Sequence, residues 1–315
     1  MVEFRKLISF GKTSYVLSLP KEWVLKNKLN KGDLITIDED EGNLVLSSKT
    51  TEKKAEPKET SMEIDGKNII QIKREIVQAY VNNFNILRIS GEELKDKAKD
   101  VRDILQNLMA LEIMEQTAKK IVVKDFMDMD RISIRNLIRR IDIITRAMMI
   151  DSKNTLKEDN YDSICHRDED VNRLTFLVFR AVRYALESPT GLKAYGMSIF
   201  DLLRHWEMAS SLEKIADGTK RIARNFKKMK IGPNLAKQIA DLCSETEKKY
   251  LGTMKAYYNN DIELIFKISD NTRPLLERCN KFIEKNRDKY LIENTMENLK
   301  QMIVHTNDIA RFIWL

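Results

Sequence analysis

The first fifty residues limit this chain more than any other stretch. Apolar and polar side chains alternate over short runs, 3–10, 14–19, 34–38 and 43–47, with Gly11-Lys12-Thr13 and Asp40-Glu41-Gly42 as breaks. A period of two bounded by turn residues predicts two β-hairpins. Between them Pro20 opens a short helix to Lys28, because a first helical turn has no use for an amide hydrogen there, and Asn30-Lys31-Gly32-Asp33 makes a turn. Two hairpins and one helical turn are too little to enclose a core. Such a half-barrel completes itself by pairing with a second copy, so the head, residues 1–48, predicts a homodimer.

Charge is divided within this head. Residues 1–31 hold seven Lys/Arg against two Glu, and residues 32–50 hold one Lys against five Asp/Glu. That segregation builds a basic face, which a two-fold dimer doubles. Arg5, Lys6, Lys12 and Lys21 are the candidates to meet phosphate groups of DNA. Read from charge alone, the same side chains equally suit the solvated surface of a small barrel.

The stretch KTSYVLSLPKEWVLKNKLNKGDLITI resembles the AbrB/SpoVT swapped-hairpin DNA-binding family. The matching positions are Gly11, Ser14 (offset by one), Val16, Leu19, Pro20, Lys21, Leu29, Gly32 and Asp33. The resemblance implies an interlocked homodimer that grips DNA with residues of its strands and loops, and it adds Ser14 to the candidate DNA contacts. Some members of that family act through partner proteins instead.

The whole chain of 315 residues has room for two or three domains. Charged residues are 33% and hydrophobic ones 43%, which suits real cores in a cytoplasmic protein. Ten Gly and five Pro are few for this length and point to long helices. No apolar run approaches the ~18 residues of a membrane span, so no membrane insertion is expected, and the N-terminus does not read as a signal peptide. Cys165, Cys243 and Cys279 lie far apart, without zinc spacing to His166, His205 or His305. The net charge of +7 is compatible with nucleic acid without requiring it.

Residues 49–64 are polar and predict a flexible linker. Residues 65–128 predict a small α/β module that serves packing or dimer support. In it 74–80 is helical, 85–89 and 119–126 are strands, and Ser90-x-x-Glu93 caps a helix reaching about Leu111. From residue 131 onward the pattern predicts six helices, near 131–157, 160–188, 197–229, 233–258, 261–287 and 290–314. Overlaying SLEKIADGTKRIA (211–223) on MIVHTNDIARFIW (302–314) places Asp217 over Asp308. A repeat of that kind predicts two tandem three-helix bundles, 129–230 and 231–315. The fold class is therefore multi-domain: a swapped-hairpin β head, a short α/β segment and an all-α body.

LEKIADGTKRIARN resembles the signature of the PhoU family of phosphate-uptake regulators, and HRDEDVNRLTFLVFR (166–180) resembles that family's preceding helix. An AbrB-like head on a PhoU-like body is similar to archaeal phosphate-uptake regulators. The resemblance implies tandem three-helix bundles, a role in phosphate homeostasis, and acidic motifs able to carry iron or zinc clusters. Glu213-x-x-x-Asp217 matches one motif, and a four-residue step sets both carboxylates on one helix face. That face is expected to be exposed, opposite the stripe from Leu212 to Ile222. Asp168-x-x-x-Asn172 fills the companion position with an amide at its end, a weaker and neutral ligand. In the second bundle Val304 stands where an acid would precede Asp308, so no metal is expected there.

No catalytic constellation accompanies these residues. His305 near Asp308 has no nucleophile, and Lys220, Arg221, Arg224, Lys227, Lys228 and Lys230 form a basic run that suits a helix C-terminus or an acidic partner. The sequence thus reads as a DNA-binding regulator of phosphate uptake. The alternative is an adaptor that inhibits a phosphate transporter or sensor kinase through protein contact, with the head serving only to dimerise.

Overall fold

The computed structural model describes residues 3–40, 43–48, 57–156, 158–187 and 189–314. Turn residues 41–42, linker residues 49–56 and Ser188 of the expected Ser-Pro-Thr-Gly break lie outside them. The chain divides into two compact units, Met1–Pro57 and Lys58–Leu315.

In the first unit β1 (Ile8–Phe10) pairs antiparallel with β2 (Ser14–Val16), Phe10 opposite Ser14. Gly11, at φ +71, supplies the left-handed residue this tight turn requires. Pro20 caps α1 (Lys21–Lys26), and β3 (Ile35–Asp40) pairs antiparallel with β4 (Asn43–Ser48). The hairpins form two separate two-stranded sheets. None of the described residues of the head is buried. Phe4 is 94% exposed and Phe10 70%, and Leu7, Ile8, Tyr15, Leu25, Leu34, Ile37 and Leu44 are exposed with them.

The second unit opens with a four-stranded sheet in the order β5-β6-β8-β7, formed by β5 (Glu59–Glu63), β6 (Ile86–Ser90), β7 (Leu111–Gln116) and β8 (Lys120–Asp125). Helices α2 (Ile69–Val81) and α3 (Leu94–Gln106) bury Ile72, Ile76, Val101 and Leu105 with Leu87, Ile89, Ile121 and Val123 of the sheet. Two features depart from the sequence reading. Residues 59–63, expected within the linker, are an edge strand parallel to β6. Its side chains are polar except Met62, which is buried beside Ile64. Backbone pairing with β6, rather than side-chain propensity, holds it. The expected capping box at Ser90 is absent, since Ser90 ends β6. Instead the Asp65 carboxylate accepts from the backbone amides of Glu92 and Glu93, each at 2.9 Å. Those two bonds hold the Asp65 carboxyl below its ordinary value. The helix stops at Gln106, and Leu111 begins a strand.

The body consists of α4 (Ile134–Asn154), α5 (Tyr161–Glu187), α6 (Pro189–Tyr195), α7 (Ile199–Lys228), α8 (Pro233–Asn259), α9 (Ile262–Asp270), α10 (Thr272–Lys285) and α11 (Tyr290–Trp314). The short α6 was not expected, and the expected helix 261–287 is broken at Asn271 into α9 and α10. Lys249 of α8 covers that break: its Nζ donates to the Ile268 carbonyl oxygen at 2.8 Å and to Thr272 Oγ1 at 2.7 Å. Helices α4, α5 and α7 pack as one bundle, and α8, α9, α10 and α11 as a second. The bundles meet along α7 and α11 and share one hydrophobic core. Gly218 admits this approach, since a Cβ there would lie 2.9 Å from Met302 Cγ.

Sheet and body join through a buried ion pair. Arg180 of α5 grips the Asp125 carboxylate with two guanidinium nitrogens and donates from Nε to Asn83 Oδ1 at 3.0 Å. Its charge stands 4.5 Å over the Tyr80 ring. Both charged side chains are 1% exposed, so each depends on the other for its neutralisation.

Candidate functional site

The residues singled out in the sequence fall in two regions, the head and the helical body. In the head, Arg5 and Lys6 precede β1, Lys12 sits in the β1–β2 turn, Ser14 begins β2 and Lys21 begins α1; all are exposed. Arg5 pairs with Glu3 two residues away. Lys6, Lys12 and Lys21 have no ion-pair partner among the described residues. Three positive charges without internal partners, and a fourth on an exposed pair of small energetic worth, remain available to phosphate.

The second place lies between α5 and α7. Asp168 of α5 is buried, whereas Glu213 and Asp217 of α7 are half-buried rather than exposed as expected. The third helix of the bundle turns this face towards α5. The group also contains a cation that sequence reasoning assigned to the helix-end basic run. Lys220 Nζ lies 2.5 Å from Asp168 Oδ2 and 3.0 Å from Asp217 Oδ1, and Arg221 holds the other Asp217 oxygen at 2.6 Å. Asn172 Nδ2 donates to Asp168 Oδ2 at 3.3 Å. Spacing carried the signal: Lys220 and Arg221 follow Asp217 by three and four residues, which is the reach of an intrahelical pair.

Electrostatics follow the same arrangement. Burial opposes the Lys220 charge, but hydrogen bonds and attraction from Asp168 and Asp217 outweigh it and raise its pKa. Burial raises Glu213 as well, reinforced by the neighbouring Asp217 and Asp168 charges. The donors therefore do not fit an iron or zinc ion as they stand. An ammonium already lies among the carboxylates, and among the described residues no group of three His, Cys, Asp or Glu is arranged to hold a metal. In the second bundle Asp308 faces His305 at 3.5 Å and Arg311 at 3.6 Å, while Val304 is exposed. Further along α7, Lys227 pairs with Asp159 at 2.8 Å. Among the described residues Arg224, Lys228 and Lys230 have no ion-pair partner.

Residues 9–54 match the family model described as antidote-toxin recognition MazE, bacterial antitoxin. No curated protein matches the chain. Among solved structures it is similar to PhoU from Pseudomonas aeruginosa, at 13% identity and a TM-score of 0.48, over 57% of this chain and 93% of that one. No helix among the described residues is long and apolar enough to cross a membrane.

Proposed function

We propose that this chain is a homodimeric DNA-binding regulator of phosphate homeostasis, with a swapped-hairpin head that reads an operator and a helical body that receives the signal. The exposure of the head's apolar side chains carries the reading. No described residue of the head is buried in one chain, so its hairpins have no core until a second copy supplies one. Pairing doubles the basic surface of Arg5, Lys6, Lys12 and Lys21, with Ser14 beside it. The motif Gly11…Pro20-Lys21…Gly32-Asp33 and the MazE-type match over 9–54 support the head's assignment. The signature in 212–225 supports the phosphate role of the body.

A gel shift at two salt concentrations tests this. Phosphate contacts release counterions, so affinity drops steeply with salt, and each contact removed lowers the log–log slope by about 1. Arg5→Ala and Lys12→Ala should weaken binding and flatten that slope. No shift at low salt would reject DNA binding and favour the adaptor acting on a transporter or sensor kinase.

A further inference from the structure

Lys220 starts on α7 and ends against α5. Its ammonium lies 2.5 Å from Asp168 Oδ2 on α5 and 3.0 Å from Asp217 Oδ1 on α7. One carboxylate oxygen from each helix therefore converges on a single point, and a positive charge fills that point. Asn172 Nδ2 reaches the same Asp168 oxygen at 3.3 Å, and its amide can present an oxygen there instead. Glu213 stands one helical turn before Asp217, half-buried and with no ion-pair partner among the described residues. Burial raises its pKa, and the charges of Asp217 and Asp168 add to the rise, so it shares their space.

Carboxylates and an amide oxygen suit a hard divalent cation. Charge decides against such an ion in the native chain. Asp168 and Asp217 carry two negative charges, and Lys220 and Arg221 return two positive ones. The ammonium cannot leave without unpairing Asp168, which is 4% exposed. The repeat shows the same device in the second bundle. Overlaying 211–223 on 302–314 sets Arg311 at the place of Lys220, and Arg311 lies 3.6 Å from Asp308. In each bundle a base three residues after the aspartate supplies the cation from the chain itself.

We propose that Lys220 is a built-in cation standing where a metal ion would sit between α5 and α7, so that their closure needs no iron or zinc, and that loss of its ammonium opens a site for a hard divalent cation such as Mn2+. Without the ammonium the carboxylates of Asp168, Asp217 and Glu213 repel one another, and their side-chain torsions let them turn onto a shared ion. Asn172 completes the set through its amide oxygen. The closure of α5 on α7 is independent of the head and of DNA.

Metal analysis of the untagged full chain, then calorimetry and Mn2+ electron paramagnetic resonance after EDTA treatment, test it. Wild type should retain no stoichiometric iron or zinc, unfold at the same midpoint in EDTA and in MnCl2, and leave added Mn2+ free. Lys220→Ala should unfold at a lower midpoint in EDTA and bind Mn2+ saturably, at least roughly tenfold more tightly than wild type. Added Mn2+ should restore part of the lost midpoint. If Lys220→Ala fails to fold, Lys220→Gln removes the charge while keeping a donor for Asp168, and the same gain is expected. Stoichiometric iron or zinc in wild type, a wild-type midpoint that drops in EDTA, or equal Mn2+ affinity in wild type and the folded variant would overturn the proposal.

Discussion

Lys220 places an ammonium among the carboxylates of α5 and α7. Asp168, 4% exposed, depends on it. Lys220→Met should destabilise the fold by roughly 3 kcal/mol or somewhat less, because the lysine side chain is still 28% exposed. Adding Asp168→Asn should recover much of that loss; strictly additive effects in urea unfolding would contradict the coupling. Sequence spacing put Glu213 and Asp217 on one face, but it could not show α5 closing over them. Lys249 offers a pH test. It is buried with two neutral acceptors and, among the described residues, no carboxylate partner, and burial lowers its pKa to about 8. The unfolded lysine titrates near 10.4. Between those values the unfolded lysine binds more protons than the folded one, so the Lys249 contribution to stability should climb as pH rises from about 8 towards about 10.4, at no more than about 1.4 kcal/mol per pH unit. Lys249→Met should abolish this contribution, so the wild-type slope of stability against pH should be the more positive of the two through that window; an identical slope in the variant would contradict it.

Among the elements, α3 owes its start to Asp65, far before Ser90, where sequence reasoning looked for its cap. Asp65 receives the Glu92 and Glu93 amides, so Asp65→Ala should lower the midpoint of thermal or urea unfolding. Ser90→Ala, at the expected cap, should change little. Gly91 belongs to the same joint: it sits at φ +153, and a Cβ there would lie 2.4 Å from Asp65 Oδ1. The strands β6 and β8 were legible because β-branched and apolar residues dominate them. The edge strands ETSME and LEIMEQ were not, because their pairing is a tertiary choice and polar residues line their open sides. The long helices were read to within a few residues, since each must bury a stripe of period 3.6. The break at Asn271 escaped notice because the apolar spacing runs on through it, and Lys249, which covers it, comes from another helix.

At the scale of the whole molecule, the chain contains one unit with buried cores in its sheet and its helical body and another without any described buried residue. That imbalance was readable in the sequence because four short strands cannot enclose apolar side chains, whereas six long amphipathic helices can. In the proposed function recognition of DNA depends on pairing, since only two copies would present the doubled cationic face. Sedimentation equilibrium of the full chain at micromolar concentration tests this most directly. It should show a particle of twice 36.8 kDa, with the near-ultraviolet signal of an ordered head. A well-folded species of 36.8 kDa, with the head ordered in a single copy, would contradict the account.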